Sequence, residues 1–534
     1  MSKETPCADD AGRFLVLPIV VLILAQMGTS GDNGAVALAT AALTADLGAS
    51  MSDIQLVNMV YSLMAGALMV AGGLMGTVIG WKKNFRIGAV LCACGEMTMA
   101  LSPNIGVFIW GGRLLTGFGA SFMIPSVLGL VPRIYRGKNR VQAFGCIGAA
   151  TGLSTFLPLV LGVIMDAAGF RVTFGVLGCY FLLVFGLSFL LPAIPRSDEK
   201  VKFDVVGTLL AALGLFLLLM GLSRISAWGL VEPYAACPFT VFGISPCIPL
   251  AVAGIVVLAV MIVLEKGIEA RNGSALLPQS FLRNKQVLAG LVASAIVFCY
   301  AMSLAAVALT PYLQLVCGWS ATMSSVASVV MGIPMFLFSM LIPKFLPNLT
   351  PRRALQAGYV VFIAALVPFF FSIEVGTVNV PLMMVGFLLA GTGAGVVSSH
   401  ANNVVALVLN ERDAAQSGGI QTTMRNVGQA IGVAVLGTVL LFSITSGING
   451  GALQSGVVSP EVSAAVSERS ITLMSDEGFE GEIADIPMAD EEKAELVALN
   501  SQARADASRA TLVVMGGIVV LALLTTPWIK TQRR

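Results

Sequence analysis

An arginine stands in the middle of the apolar run Val107-Phe108-Ile109-Trp110-Gly111-Gly112-Arg113-Leu114-Leu115. At bilayer depth an arginine costs about 2.5–3.5 kcal/mol on insertion scales, so it normally has a partner and faces a bundle interior or a watery cavity. Asp32, Glu96 and His400 lie in similar apolar runs. These four side chains predict an all-helical membrane protein with a polar interior.

The composition supports the same class of protein. Of the 534 residues, 57% are hydrophobic and only 11% are charged, and the mean hydropathy is +0.89, which is far from a soluble domain. A net charge of +2 gives no reason to expect nucleic acid as a partner. With one histidine and no CxxC pair among nine cysteines, we expect no metal site and no cofactor.

Apolar stretches long enough to cross the bilayer, which takes about 20 helical residues, occur fourteen times by our reading. They cover residues 14–40, 54–79, 87–103, 105–131, 141–168, 172–192, 204–223, 239–264, 287–312, 320–343, 354–373, 379–405, 416–444 and 510–529. Of the 31 lysines and arginines, 23 fall on the side of the N-terminus under this assignment. Basic loops face the cytoplasm, so both termini are predicted to be cytoplasmic, in the plasma membrane.

The connector 445–509 holds twelve acidic and four basic residues and is predicted to face outward. Its glycines and one proline indicate a flexible loop in the first part, and the stretch 489–509 indicates a short surface helix. The residues behind the loop prediction are Gly447, Gly450, Gly451, Gly456 and Pro460.

An internal repeat divides the chain. Leu114-Leu115-Thr116-Gly117-Phe118-Gly119-Ala120 of span four reappears as Leu388-Leu389-Ala390-Gly391-Thr392-Gly393-Ala394 in span twelve. We predict a six-helix bundle in 1–200, two additional linker helices in 201–268, and a second six-helix bundle in 269–534. Parallel repeats of this kind place a substrate site at mid-membrane between the halves.

Several motifs occur in the order found in one known family. The first motif, Gly31 to Ala39, is an aspartate followed by a valine- and alanine-rich stretch. The second is Gly73 to Gly80 with Lys82 and Lys83 after it. The third, Arg113 to Ala120, begins with the arginine of the apolar run. Arg425 to Gln429 fits span thirteen. In these features the chain resembles the major facilitator superfamily, and within it the fourteen-span drug:proton antiporters. The resemblance implies a major facilitator fold of two six-helix bundles plus two extra helices.

Two departures from the family pattern stand out. Thr77 occupies the position of the loop aspartate, and span five reads Leu157-Pro158 and then Leu161-Gly162 where the antiporter signature has more glycine. Pro158 can still bend its helix. The missing glycines weaken the implication of efflux but leave the superfamily resemblance intact.

Candidate proton-coupling residues are Asp32, Glu96 and His400. Asp32 is preferred, although with Asn33 and Gly34 it also suits a simple break in span one. Glu96 lies on a span that is peripheral in the family, so it also suits a helix tie or a snorkelling side chain. His400 is a candidate because histidine is the side chain that ordinarily titrates near neutrality. Arg113 is expected to hold the charge state of Asp32 or to meet an anionic substrate; a structural interhelical bond is its alternative.

The remaining candidates form two sets. The predicted cavity or substrate contacts, besides Asp32, Arg113 and His400, are Asn58, Tyr61, Met302, Tyr312, Gln314 and Asn403. The predicted structural or gating residues are Gly73, Gly80, Lys82, Lys83, Gly117, Pro158 and Arg425. Apolar and aromatic stripes in spans usually serve packing, which is the alternative for the first set.

These observations predict a proton-coupled secondary transporter that exports lipophilic small molecules or drugs by alternating access. A carrier of a specific organic anion or lipid-like acid is the first alternative, and a non-transporting receptor is the second. No catalytic motif indicates an enzyme. The expected partners are a small-molecule substrate, protons and the lipid bilayer, with the protein acting as a monomer.

Overall fold

The computed structural model describes residues 14–49, 51–135, 156–192, 205–233, 237–272, 283–346, 349–406, 411–467 and 473–529, together with residue 281 and single positions between 139 and 154. Most of the first half of predicted span five lies outside these residues. The described residues are overwhelmingly helical. Helices satisfy their own backbone hydrogen bonds, which is what a chain this apolar needs inside lipid.

The described part of the N-terminal half contains six α-helices. They are α1 (Val16–Leu38), α2 (Thr40–Leu47), α3 (Met51–Ile79), α4 (Trp81–Ala100), α5 (Leu114–Ile134) and α6 (Phe156–Leu187). A π-helical segment, Val107–Arg113, leads directly into α5. Helix α6 holds the second half of predicted span five and most of span six, and its backbone is interrupted at Gly169, where φ is +77°.

Ten further α-helices of seven or more residues follow in the described part of the chain, and the single turn Ile225–Trp228 lies between the first two. They are α7 (Val205–Ser223), α8 (Cys247–Asn272), α9 (Lys285–Phe298), α10 (Ala321–Phe345), α11 (Pro351–Ser372), α12 (Val380–Ala406), α13 (Glu411–Gln454), α14 (Pro460–Ser467), α15 (Asp476–Glu482) and α16 (Asp490–Leu523). The π-helical segments Cys299–Ser303, Ala305–Leu309 and Tyr312–Val316 continue α9. The short strands β1 (Ile373–Glu374) and β2 (Thr377–Val378) form an antiparallel hairpin between α11 and α12.

Ten helical stretches among the described residues are long and apolar enough to cross a membrane. Helices α3, α4 and α7, which coincide with predicted spans two, three and seven, are not among the ten, and the stretch Phe156–Leu190 counts once although it holds parts of two predicted spans. The protein is therefore a polytopic helical membrane protein, and the number fourteen stays a prediction.

The two copies of the repeated stretch pack in the same way. Helix α5 contacts α3 and α4, and α12 contacts α10 and α11. A Cβ atom added at Gly117 would lie 3.0 Å from the Tyr61 carbonyl oxygen of α3, and one at Gly391 would lie 1.9 Å from the Met331 carbonyl oxygen of α10. The glycines at the fourth repeat position thus allow backbone-to-backbone contact in both halves, as membrane bundles require.

Among the described residues, the halves contact each other at α3 with α13 and at α6 with α10, and α5 also contacts α13. At the second pair the Thr322 hydroxyl donates a hydrogen bond to the Asp166 carboxylate. At the first pair the Asn426 amide reaches the Met69 sulfur at 3.8 Å. Helices α7 and α8 pack on one another, and α7 packs beside both α3 and α13, so the extra pair flanks one contact between the halves.

The prediction of a flexible loop after residue 445 is wrong. Helix α13 runs on to Gln454, and Gly447 and Gly451 face α16 rather than solvent. A Cβ at Gly451 would lie 2.4 Å from Leu499 Cδ2. Glycines spaced four apart serve close helix packing here, and the helix ends only near Gly456, where φ is +66°.

The stretch 489–509 is likewise more than a short surface helix, because it is the first part of the 34-residue α16. Glu492 accepts hydrogen bonds from the backbone N–H groups of Ser459 and Ala489, both at 2.8 Å. Apolar side chains of α14, α15 and the facing ends of α13 and α16 form one core with Val307 and Val316. We call residues 455–467 and 473–489 the cap, which this core holds to the C-terminal half.

Candidate functional site

The site is built around a buried ion pair between α1 and the start of α5. Asp32 and Arg113 both have side chains with 0% exposure. Arg113 Nη1 donates to Asp32 Oδ1 at 2.8 Å and to Oδ2 at 2.7 Å. Helix α1 continues through Asp32 to Leu38, so the alternative of a simple break in span one at this residue is wrong. The neighbouring glycines instead admit α6, since a Cβ at Gly34 would lie 2.4 Å from Pro158 Cγ.

Arg113 is held in place from α3 as well. Its Nε donates to the Val57 carbonyl oxygen at 3.2 Å, and its guanidinium carbon lies 4.6 Å from the centroid of the Tyr61 ring, a cation–π geometry. The Tyr61 hydroxyl donates to the Thr29 carbonyl oxygen of α1 at 3.1 Å. Three parts of the N-terminal half are therefore tied together at one arginine.

Glu96 of α4 joins this cluster. Its side chain is fully buried and interacts with Asp32 and Arg113. Neither carboxyl oxygen receives a hydrogen bond from a donor among the described residues. The snorkelling alternative is therefore wrong, and the family-based expectation of a peripheral position missed the cluster, because α4 turns this residue toward α1 and α5. We refer to Asp32, Arg113, Glu96 and Tyr61 as the buried cluster.

The cluster has one carboxylate more than it has cations. Buried charges are stable only when paired and hydrogen-bonded, because desolvation costs several kcal/mol per ion. Asp32 and Arg113 satisfy one another, whereas the carboxyl oxygens of Glu96 have no hydrogen-bond partner among the described residues. A buried group of this kind can hold a proton, and the arrangement is therefore suited to a reversible change of protonation inside the bundle.

His400 lies in the other half and is not part of the cluster. It is buried near the end of α12, and its Nδ1 lies 2.7 Å from the Ser399 hydroxyl oxygen. The backbone near Leu349, in the connector before α11, also interacts with it. Its predicted role in proton coupling stays a prediction.

The other predicted cavity residues are spread over the C-terminal half. Met302 is half-buried against the apolar core of that half, and Gln314 is half-buried in the π-helical segment Tyr312–Val316. The Tyr312 hydroxyl donates to the Glu374 carbonyl oxygen of β1, which fastens the end of this span to the hairpin. The side chains of Asn58 and Asn403 lie outside what the structure describes.

The predicted structural residues have identifiable contacts. Gly80 precedes α4 with φ of +95°, a left-handed backbone that favours glycine. Lys82 Nζ donates to the Leu191 carbonyl oxygen at 2.6 Å, whereas Lys83 is exposed. Gly73 is loosely packed, since a Cβ there would lie 3.6 Å from Pro125.

Arg425 stands beside an inter-half contact. Its guanidinium carbon lies 5.2 Å from the centroid of the Phe298 ring, within its own half, and the next residue, Asn426, is the one that reaches α3. An inter-half role for Arg425 itself stays a prediction.

Sequence reasoning missed one polar side chain that organises the N-terminal half. The Asn84 amide, 0% exposed, donates to the carbonyl oxygens of Gly72 at 2.9 Å and Phe122 at 3.1 Å and to the Ser126 hydroxyl at 2.9 Å. It therefore joins α3, α4 and α5. Its place directly after Lys82 and Lys83 suggested a solvated loop, and only the turn into α4 at Gly80 buries it.

No group of histidine, cysteine, aspartate and glutamate suited to a metal ion is found in the described ranges.

Comparison with known proteins identifies the family. A family model of the Major Facilitator Superfamily matches residues 22–433. The chain is 30% identical over 429 residues to the "Probable actinorhodin transporter" of Streptomyces coelicolor, covering 78% of this chain and 71% of the relative. It is 26% identical over 452 residues to the "Tetracenomycin C resistance and export protein" of Streptomyces glaucescens, covering 82% and 78%.

The fold is also similar to a solved structure, the human organic anion transporter MFSD10 (TETRAN), with a TM-score of 0.58, 13% identity, and coverage of 96% of this chain and 99% of that one. That likeness concerns the fold alone. With the family model covering most of the chain and relatives that are transporters, the protein is a secondary transporter rather than an enzyme, and the chain belongs to the Major Facilitator Superfamily.

Proposed function

We propose that this protein is a proton-coupled antiporter that exports lipophilic small molecules of the antibiotic class from the cell. The relatives support the substrate class, since their names describe actinorhodin transport and tetracenomycin C resistance and export. The observation that carries proton coupling is the buried cluster, where Glu96 lies against an ion pair with no exposure.

The proposal includes the fourteen-span topology, with both termini in the cytoplasm of a plasma-membrane protein and the cap outside. Alternating access then requires the contacts of α13 with α3 and α5, and the contact of α6 with α10, to open in turn. The Asp166–Thr322 hydrogen bond would belong to the outward closure, since both residues lie next to connectors assigned to the outer face. The Asn426–Met69 contact lies deeper in the bundle.

The alternative of an organic-anion carrier has less support from the geometry. It relies on Arg113 and His400 as positive charges for the substrate. Arg113 is already neutralised by Asp32 through two short hydrogen bonds, and His400 lies in the other half. A non-transporting receptor would need no titratable cluster at all, and flux measurement separates it from a carrier.

The function is tested in a drug-sensitive bacterial host. Cells with and without the chain are loaded with a panel of lipophilic antibiotics and fluorescent cations and carboxylates, and efflux is followed with and without a protonophore. We expect faster efflux of at least one lipophilic compound, abolished by the protonophore. The variant Lys83→Ala, which changes an exposed side chain, serves as a control and should behave as the wild type. Efflux equal to that of empty cells across the panel contradicts export, and efflux insensitive to the protonophore contradicts coupling.

A further inference from the structure

The two acidic side chains of the buried cluster differ in their hydrogen-bond partners. Asp32 uses both carboxylate oxygens to accept hydrogen bonds from Arg113 Nη1, at 2.8 and 2.7 Å. Arg113 is further engaged by the Val57 carbonyl oxygen. The arginine is thus oriented on Asp32, and Glu96 receives no hydrogen bond from any donor in the described part of the chain.

An ionised Glu96 would be expensive in this position. Its side chain is 0% exposed, and a buried charge without a hydrogen-bonded partner costs several kcal/mol. The charged groups that act on it are Asp32 from α1 and Arg113 from the segment before α5. Tyr61 of α3 and Cys92, one turn earlier on α4, are its titratable neighbours.

The interaction between the two carboxyl groups also favours a proton on Glu96. Glu96 and Asp32 repel each other when both are ionised, and a like charge nearby disfavours the ionised form of a buried carboxyl group. Ionised carboxylates are acceptors only, so two of them form a hydrogen bond only when one carries a proton. Since Asp32 is the one bound to the guanidinium, the proton belongs on Glu96.

We propose that Glu96 is the site that binds the coupling proton, while Asp32 stays ionised as the permanent partner of Arg113. The inference rests on the proposed antiport function and deepens it. When the cluster is closed off from water, Glu96 is a neutral acid. When water reaches it, the cost of ionisation falls, the O–H bond breaks, the electron pair stays on the carboxylate, and the proton passes to water. Closing the site again requires a proton or a compensating cation.

If Glu96 binds the proton and Asp32 stays ionised, neutralising one of them should have different effects from neutralising the other. Glu96→Gln mimics the protonated acid in size and hydrogen bonding and removes the exchangeable proton. Asp32→Asn removes the counter-charge of Arg113 and so damages binding and folding. Glu265→Gln is the matched control, because Glu265 is also buried, at 2% exposure, but lies on α8 outside the cluster.

The first readout is transport in proteoliposomes. With one unit of imposed pH difference, one-to-one exchange supports up to about a tenfold substrate gradient. We expect the wild type and Glu265→Gln to build such a gradient, and Glu96→Gln to give a ratio of one while still exchanging labelled for unlabelled substrate. Gradient-driven accumulation by Glu96→Gln equal to that of the wild type overturns the assignment.

The second readout does not depend on transport. Infrared difference spectra of the purified protein, recorded between neutral and alkaline pH, should contain the carbonyl band of a protonated carboxylic acid. The band should be absent from Glu96→Gln and present in Asp32→Glu. Its persistence in Glu96→Gln overturns the assignment. If the wild type itself shows no gradient-driven accumulation, the proposed antiport fails, and the infrared band still decides whether Glu96 holds the proton.

Discussion

Replacing Arg113 by alanine is the most severe single change that the structure predicts. The substitution removes both contacts to the Asp32 carboxylate, the hydrogen bond to Val57 and the ring contact with Tyr61. Asp32 then remains at 0% exposure without its cation. Breaking a buried pair by removing one partner costs about 3–5 kcal/mol, so we expect loss of transport together with a clearly lower unfolding temperature.

Thermal unfolding in detergent measures the stability part of this prediction. A thiol-reactive dye reports unfolding, since Cys92 and Cys299 are buried in the folded protein. Unfolding of a protein of this size is not two-state, so apparent midpoints are compared rather than free energies. Arg113→Lys should recover part of the midpoint, because it restores the charge but not the planar guanidinium, whose Nη1 binds Asp32 while its Nε reaches Val57.

A charge-neutral double variant isolates the role of the unpaired charge. Asp32→Asn combined with Arg113→Gln leaves no buried ion, and its apparent midpoint should lie closer to the wild type than that of Arg113→Ala. Transport should remain absent, because the ionic cluster is gone. A wild-type midpoint and wild-type transport for Arg113→Ala would refute the reasoning, and so would a double variant less stable than Arg113→Ala.

Three further predictions concern topology, packing and the cap. In a cysteine-free background and intact cells, Glu477→Cys should react with an impermeant maleimide, whereas Lys83→Cys should react only after permeabilisation; the reverse pattern contradicts the orientation. Gly391→Ala should lower the apparent midpoint sharply, because its Cβ would meet a backbone carbonyl oxygen at 1.9 Å, whereas Gly186→Ala, with open space around it, should not; equal midpoints rule out the packing argument. Arg504→Met should increase protease cleavage within the cap and leave transport intact, since Arg504 binds the cap through the Asp476 carboxylate and the Met474 carbonyl oxygen; unchanged cleavage would show that the apolar core alone holds the cap.

The fold class and the Asp32–Arg113 pair could be predicted from the free-energy cost of burying a charge in the membrane. A lone arginine in an apolar run needs a partner, and Asp32 was the acidic residue on the neighbouring cavity-lining span. The repeat around Gly117 and Gly391 indicated two related halves, and both glycines indeed admit a neighbouring backbone. These inferences succeed because membrane burial penalises each unpaired charge and each added Cβ strongly.

The helix after residue 445 and the position of Glu96 could not be predicted, because both depend on how helices pack against each other. A glycine in a sequence can indicate either a flexible loop or a close contact between two helices. At Gly447 and Gly451 the structure shows a close helix contact. Their spacing of four residues was the available signal. Glu96 was underestimated because its helix was judged by family position, whereas the direction in which its side chain points depends on the rotation of α4 about its own axis.

The central claim, that export is exchanged for protons through the buried cluster, is tested most directly by counting both species at once. Wild-type protein is reconstituted into vesicles that contain a pH-sensitive dye, and an exported compound found in the efflux panel is added outside in labelled form, with no imposed gradient. As the compound enters, protons should leave and the interior should become alkaline, and Glu96→Gln should exchange compound without any pH change. Compound entry by the wild type with no movement of protons, or with protons moving inward alongside it, would contradict the account.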